Sequence, residues 1–211
     1  MINVTQQINA VRRRVGTRVL EAGEARTVTI SQTYHAAIED VWDACTSAER
    51  IPRWFMPVSG DLKAGGRYQL EGNAGGIVER CEPPESFAVT WEFGEMVSWL
   101  EVTLVPDGHG TRLELAHEAH VDPGMWEQFG PGAVGVGWDL GLLGLGLHIE
   151  SGAPVDPAMA VTFPASPDGA EFIRRAAAGW AAAAVNDGDE PGPAHEAAER
   201  TVAFYTVPPG N

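Results

Sequence analysis

The chain has 211 residues, 44% of them hydrophobic, with seven Trp and seven Phe, which is enough to bury a core and rules out a wholly disordered or fibrous chain. Its 29 acidic residues against 14 basic ones give a formal net charge of −15, a field that repels phosphate backbones and anionic lipid heads, so no nucleic-acid binding is expected. Cys45 and Cys81 sit in no metal or redox spacing, and the opening segment is broken by Arg12, Arg13, Arg14 and Arg18 where a secretion signal would be apolar; packed, reduced thiols and a cytoplasmic location are expected.

Residues 1–26 carry five Arg against two Glu and read as a loosely ordered, solvated basic arm with no function assigned. From Arg26 the residues Val28, Ile30 and Gln32 alternate with polar ones, as in a half-buried strand. The period then changes: Ile38, Val41, Trp42 and Cys45 make one apolar helical stripe, with Glu39, Asp40 and Asp43 toward water. Thr46-Ser47-Ala48-Glu49 reads as a capping box for a second short helix, which Pro52 should disturb or end. A meander of roughly six strands follows, including Arg67–Glu71, Ile77–Cys81, Phe87–Phe93, Leu100–Leu104 and Leu113–His117, each with one apolar and one polar face.

One side of that sheet needs a cover, and the segment after Pro131 supplies a long helix. At 100° per residue, Trp138, Leu142, Leu145 and Ile149 fall on one side of it and Leu140, Leu143 and Leu147 on nearly the other, so it is buried on two faces. Asp139 and Glu150 share a narrow polar stripe, and Gly141 with Gly144 leaves a smooth patch for another backbone. Asp139 and His148 leave only eight uncharged residues between them, far short of the ~18 of a membrane span, so no membrane insertion is expected. The second apolar face must meet the tail, where Phe172, Ala176, Gly179, Trp180 and Ala183 keep helical spacing and a last helix runs from Pro193 to Tyr205. The tail is thus read as a helical hairpin on the outside of the long helix, jointed at Asp187–Gly192.

In this order the motifs resemble a known family. They are Ala36-Ala37-Ile38-Glu39-Asp40-Val41-Trp42, Arg50-Ile51-Pro52-Arg53-Trp54-Phe55, Gly65-Gly66-Arg67-Tyr68, Glu82-Pro83-Pro84 leading to Val89-Thr90-Trp91-Glu92-Phe93, Gly110-Thr111-Arg112-Leu113 with His117, and Gly137-Trp138. The chain resembles the SRPBCC/START helix-grip superfamily of lipid-transfer domains, pollen-allergen-type carriers and polyketide aromatase/cyclases. Within it, the resemblance is to the branch of homologues of the activator of heat-shock protein 90 ATPase. It spans residues 27–152, leaving 1–26 as a basic arm and 153–211 as a helical extension. The resemblance implies an α+β fold in which a curved antiparallel sheet wraps a long C-terminal helix and leaves a cavity between them. Trp54, Phe55, Tyr68, Glu79, Trp91, His117 and Trp138 are the candidate lining, and the implied activity is binding of a small hydrophobic or aromatic ligand such as a lipid or polyketide-like molecule.

Stronger chemistry is hard to find in the residues. His117-x-x-His120 beside Asp122 invites a metal, but odd spacing in a strand points the imidazoles to opposite faces, so neither a metal nor a cofactor is expected. His117 follows Leu113 and Leu115 on the apolar face, as a hydrogen-bonded core histidine or a ligand contact. Glu79 shares a face with Ile77 and Cys81; should that face point inward, Glu79 and His117 form the one candidate acid–base pair for an aromatase/cyclase or hydrolase, and a one-residue slip returns Glu79 to water. No nucleophile elbow, phosphate loop or zinc-protease motif occurs. A third reading, a chaperone cofactor, is weakened because the eukaryotic activators carry a chaperone-binding domain ahead of this one and only 26 residues precede it here. The Ala-rich tail leaves a homodimer open.

Overall fold

The computed structural model describes residues 2–20 and 23–206. Eight strands, β1 Arg12–Leu20, β2 Gly23–Tyr34, β3 Val58–Gly60, β4 Arg67–Leu70, β5 Gly75–Glu82, β6 Ser86–Phe93, β7 Met96–Asp107 and β8 Gly110–Ala119, make one sheet in the order β1-β2-β8-β7-β6-β5-β4-β3. Helices are α1 Val4–Ala10, α2 Ile38–Thr46, α3 Pro123–Phe129, α4 Gly132–Ser151, α5 Pro157–Thr162, α6 Pro167–Asp187 and α7 Pro191–Thr206. The chain divides into two compact units, one of Met1–Ile30, His120–Leu140 and Asp156–Asn211, the other of Ser31–Ala119 and Gly141–Val155. Both β2 and α4 run through the division, each giving one part to either unit.

The second unit holds the antiparallel meander β3 to β8 and the latter part of α4, the helix-grip arrangement in which a curved sheet wraps a long helix. Glycines set the approach. A Cβ on Gly144 would lie 2.7 Å from the Trp54 carbonyl oxygen, so the smooth patch on α4 does receive a backbone, and a Cβ on Gly146 would rest 3.5 Å from the Tyr34 ring. The Tyr34 hydroxyl donates to the Leu142 carbonyl at 3.1 Å, tying β2 to the helix. Val41 and Ala44 of α2 are buried, with Glu39 and Asp40 in its first turn, where the helix dipole favours acids. The predicted capping box yields a 3-10 turn, Ile51–Arg53, rather than an α-helix. Pro52 lies within the first turn, where a missing N–H costs nothing, so it opens this element rather than ending one.

Sheet register corrects one expectation. Val78 pairs with Val89 but Arg80 with Ala88, so Glu79 is the extra residue of a β-bulge. Ile77 lies opposite Arg67 and Cys81 opposite Phe87, so the parity that placed Ile77, Glu79 and Cys81 on one face is broken between them.

The first unit overturns the reading of the arm. Residues 4–10 form α1 and 12–20 form β1; Met1, Glu21 and Ala22 lie outside the described residues. Arg12 and Arg14 are exposed, but the strand turns Arg13 inward, its side chain 7% exposed, to Asp139. Asp139 is therefore buried, not part of a polar stripe with the exposed Glu150. It accepts from the Arg13 guanidinium at 2.5 and 3.1 Å and from the Trp180 indole N–H at 2.8 Å. Helices α6 and α7 pack on the first part of α4: a Cβ on Gly135 would meet the Trp180 indole at 2.2 Å, and the Tyr205 hydroxyl donates to the Ala133 carbonyl. Ser166 caps α6 and left-handed Gly188, φ 117°, ends it, in the predicted joint. Helices α1, α3 and α5 and strands β1 and β3 went unread in the sequence.

Candidate functional site

In the second unit, strands β6, β7 and β8 place Trp91, Ser98 and His117 on the face that carries the buried Val89, Leu100 and Leu115. Register fixes this: Trp91 pairs with Ser98, Val89 with Leu100, and Leu100 with His117. His117 is 7% exposed, and its ring meets Trp91 edge to face with centroids 6.1 Å apart. The Ser98 hydroxyl donates to the Trp91 carbonyl at 3.1 Å, so its oxygen accepts from His117 Nε2–H at 2.8 Å, which makes His117 the Nε2-protonated tautomer. Burial pushes its pKa down to about 4, so the ring is neutral near pH 7.

Further aromatics come from other elements of the same unit. Tyr68 of β4 is buried and donates to the Thr90 carbonyl at 2.8 Å, and burial together with nearby Glu92 raises its pKa. Trp54 and Phe55 follow the 3-10 turn, both half-buried, with ring centroids 5.3 Å apart and the Trp54 N–H donating to the Ala44 carbonyl at 2.8 Å. Trp42 of α2 meets Phe87 of β6 edge to face at 5.9 Å. At the tip of the β6–β7 hairpin, Phe93 and Met96 pair with each other and are 52% and 68% exposed, extending the row of Trp91 and Ser98 outward.

The predicted residues are thus only partly gathered. Tyr68, Trp91 and His117 come from the alternate strands β4, β6 and β8 of one face, and Trp54 and Phe55 from the turn against α4. Trp138 is buried on the part of α4 belonging to the first unit. Glu79 is exposed in its bulge, which takes the carboxylate out of the acid–base pair drawn with His117. Ser98 escaped notice, although carrying the alternation of Leu100 and Val102 back two residues reaches it. His148 also went unassigned: it is 1% exposed, gives Nδ1–H to the Ala153 carbonyl at 2.8 Å and accepts at Nε2 from Arg50, which itself binds Asp40 and Asp43. This cluster closes the end of α4 against α2. Cys45 and Cys81 are free thiols, and burial pushes Cys45 up to about 12, leaving it protonated and inert.

His120 lies beyond β8, exposed, with Nδ1 bonded to the Glu24 carbonyl at 3.0 Å. Among the described residues no group of three or more His, Cys, Asp or Glu is placed to hold a metal ion. Among them α4 alone is long and apolar enough to cross a membrane, and half of that stretch is buried within the protein.

A curved sheet gripping a helix, with aromatic and histidine side chains on the gripping face, defines an SRPBCC-type chain. Residues 35–144 match the family model described as Activator of Hsp90 ATPase homolog 1-like protein, and the chain belongs to that family. The crystal structure of CalU16 from Micromonospora echinospora is 39% identical, covering 82% of this chain and 98% of that one, with a TM-score of 0.67. The solution structure of the same protein gives 38% identity over 85% and 97% of the two chains and a TM-score of 0.68. The fold extends to DynU16, a protein of the dynemicin biosynthetic locus, at 22% identity, covering 61% of this chain and 48% of that one, with a TM-score of 0.54. No curated protein matches the chain.

Proposed function

We propose that the protein binds a small hydrophobic or aromatic molecule, lipid or polyketide-like in class, between the concave face of the sheet and the latter part of α4. The observation that carries this reading is the Trp91–Ser98–His117 group: a neutral, hydrogen-bonded imidazole and an indole set among aliphatic strand residues. An apolar surface with a few fixed polar groups is the usual composition of a small-molecule site. Covering about 300 Å² of apolar ligand supplies roughly 7 kcal/mol before association costs, which suits a carrier of moderate affinity. Exposure of Glu79 favours this binder over the acid–base enzyme.

Native mass spectrometry of the full chain against fatty acids, lysolipids and fused-ring aromatics tests the proposal. One-to-one adducts that weaken in Trp91→Ala are expected. A panel without any adduct, or adducts indifferent to Trp91→Ala, would overturn it.

A further inference from the structure

Helices α3, α6 and α7 of the first unit enclose a half-open cleft of about 270 Å³. Its existence follows from side-chain size. Ala177, Ala181 and Ala184 recur along α6 at i, i+4 and i+7, and Ala197 lines the cleft from α7. Where larger residues would interlock, methyl groups leave room. Trp126 and Phe129 of α3 complete the apolar wall.

That wall is held before any ligand arrives. The Trp126 indole N–H donates to Asp189 Oδ2 at 3.0 Å, and the Arg26 guanidinium stacks 4.7 Å from the ring centroid while approaching Asp187 at 3.9 Å. An aromatic surface fixed in this way loses little freedom on binding.

The charged residues of the lining are all acidic: Glu127, Asp189 and Glu190. Two cations stand at its edge and are already partnered, Arg26 with the Trp126 ring and Asp187, Arg200 with the carbonyls of Gln128 and Glu127 and the Glu196 carboxylate. With a molecular charge of −15, the cleft sits in a field that attracts cations and repels anions. We infer that this cleft is a second binding site, for a small organic monocation with an aromatic or branched apolar body. The body lies against Trp126 and the alanines, and the ammonium lies toward Glu127 and Glu190. It stands independently of the ligand proposed for the sheet.

The test is a titration of the ¹⁵N-labelled full chain with 4-phenylbutylammonium and, as the anion of the same body, 4-phenylbutyrate, followed at the Trp126 indole N–H. A saturable shift with the amine and binding roughly tenfold weaker for the acid are expected. Glu127→Gln with Glu190→Gln, both at exposed positions, should remove most of that difference, and Ala181→Phe should abolish binding. The inference is overturned if the amine gives no saturable shift, if amine and acid bind equally, or if the double Gln variant keeps the full preference. Ala181→Phe with a native spectrum and unchanged affinity would overturn it too.

Discussion

His117 ties the chemistry of one ring to the stability of the whole chain. Its folded pKa, about 4, lies below the unfolded value of ~6.5, so unfolding takes up a proton anywhere between them. The neutral ring's contribution is therefore complete above pH ~6.5 and is lost as pH falls toward 4. Urea unfolding at pH 7 and pH 5 should show about 2 kcal/mol of lost stability from this group, and His117→Gln should flatten the dependence by that amount. A wild-type slope retained in the variant would show that other groups set it. Asp139 is the second decisive residue: burial raises its pKa, while Arg13 and the Trp180 N–H oppose that rise. Asp139→Asn leaves the Arg13 guanidinium buried without its counter-charge and should cost about 3–5 kcal/mol, whereas Arg13→Met with Asp139→Leu should cost much less. Denaturant midpoints of the three proteins check this. Sequence patterning showed His117 on the apolar face, yet it hid its partner Ser98 and the Arg13 partner of Asp139, because each partner comes from a different element and no local spacing links the pair.

At the scale of elements, α4 carries a paired test in its own glycines. Gly144→Ala drives a methyl onto the Trp54 carbonyl, while Gly146→Ala meets the Tyr34 ring at an ordinary 3.5 Å. The first should destabilise by about 1–3 kcal/mol despite better helix propensity; the second should be neutral or gain up to about 1 kcal/mol. Thermal unfolding of the two variants distinguishes them. Periodicity made α2, α4, α6, α7 and most of the meander legible, since each buries one face or stripe repeatedly. Elements that escaped have other causes. Strand β1 carries Arg12, Arg13, Arg14 and Arg18, and its apolar alternation is too sparse to register. Helices α3 and α5 are only seven and six residues long and are marked mainly by Asp caps followed by Pro. The bulge at Glu79 defeats any parity argument, because one inserted residue leaves no trace in composition.

For the whole molecule, the charge of −15 separates the two proposed sites. Affinity for an apolar ligand at the concave face should hold or strengthen slightly from 50 to 500 mM NaCl, while the ammonium affinity of the α3–α6–α7 cleft should fall several-fold as its carboxylates are screened. Titrations at the two ionic strengths read both. The architecture of the family was recoverable from motif order; the cleft was not, since it arises where alanines of α6 and α7 face the aromatic residues of α3. The most direct test of the carrier function follows the His117 imidazole and Trp91 indole resonances during titration with 1-naphthol, a neutral fused-ring aromatic bearing one hydroxyl. Saturable shifts at both residues, weakened in Trp91→Ala, are the expected result; a saturating ligand that leaves both unmoved, or no binding up to the solubility limit, would contradict a ligand site on the concave face.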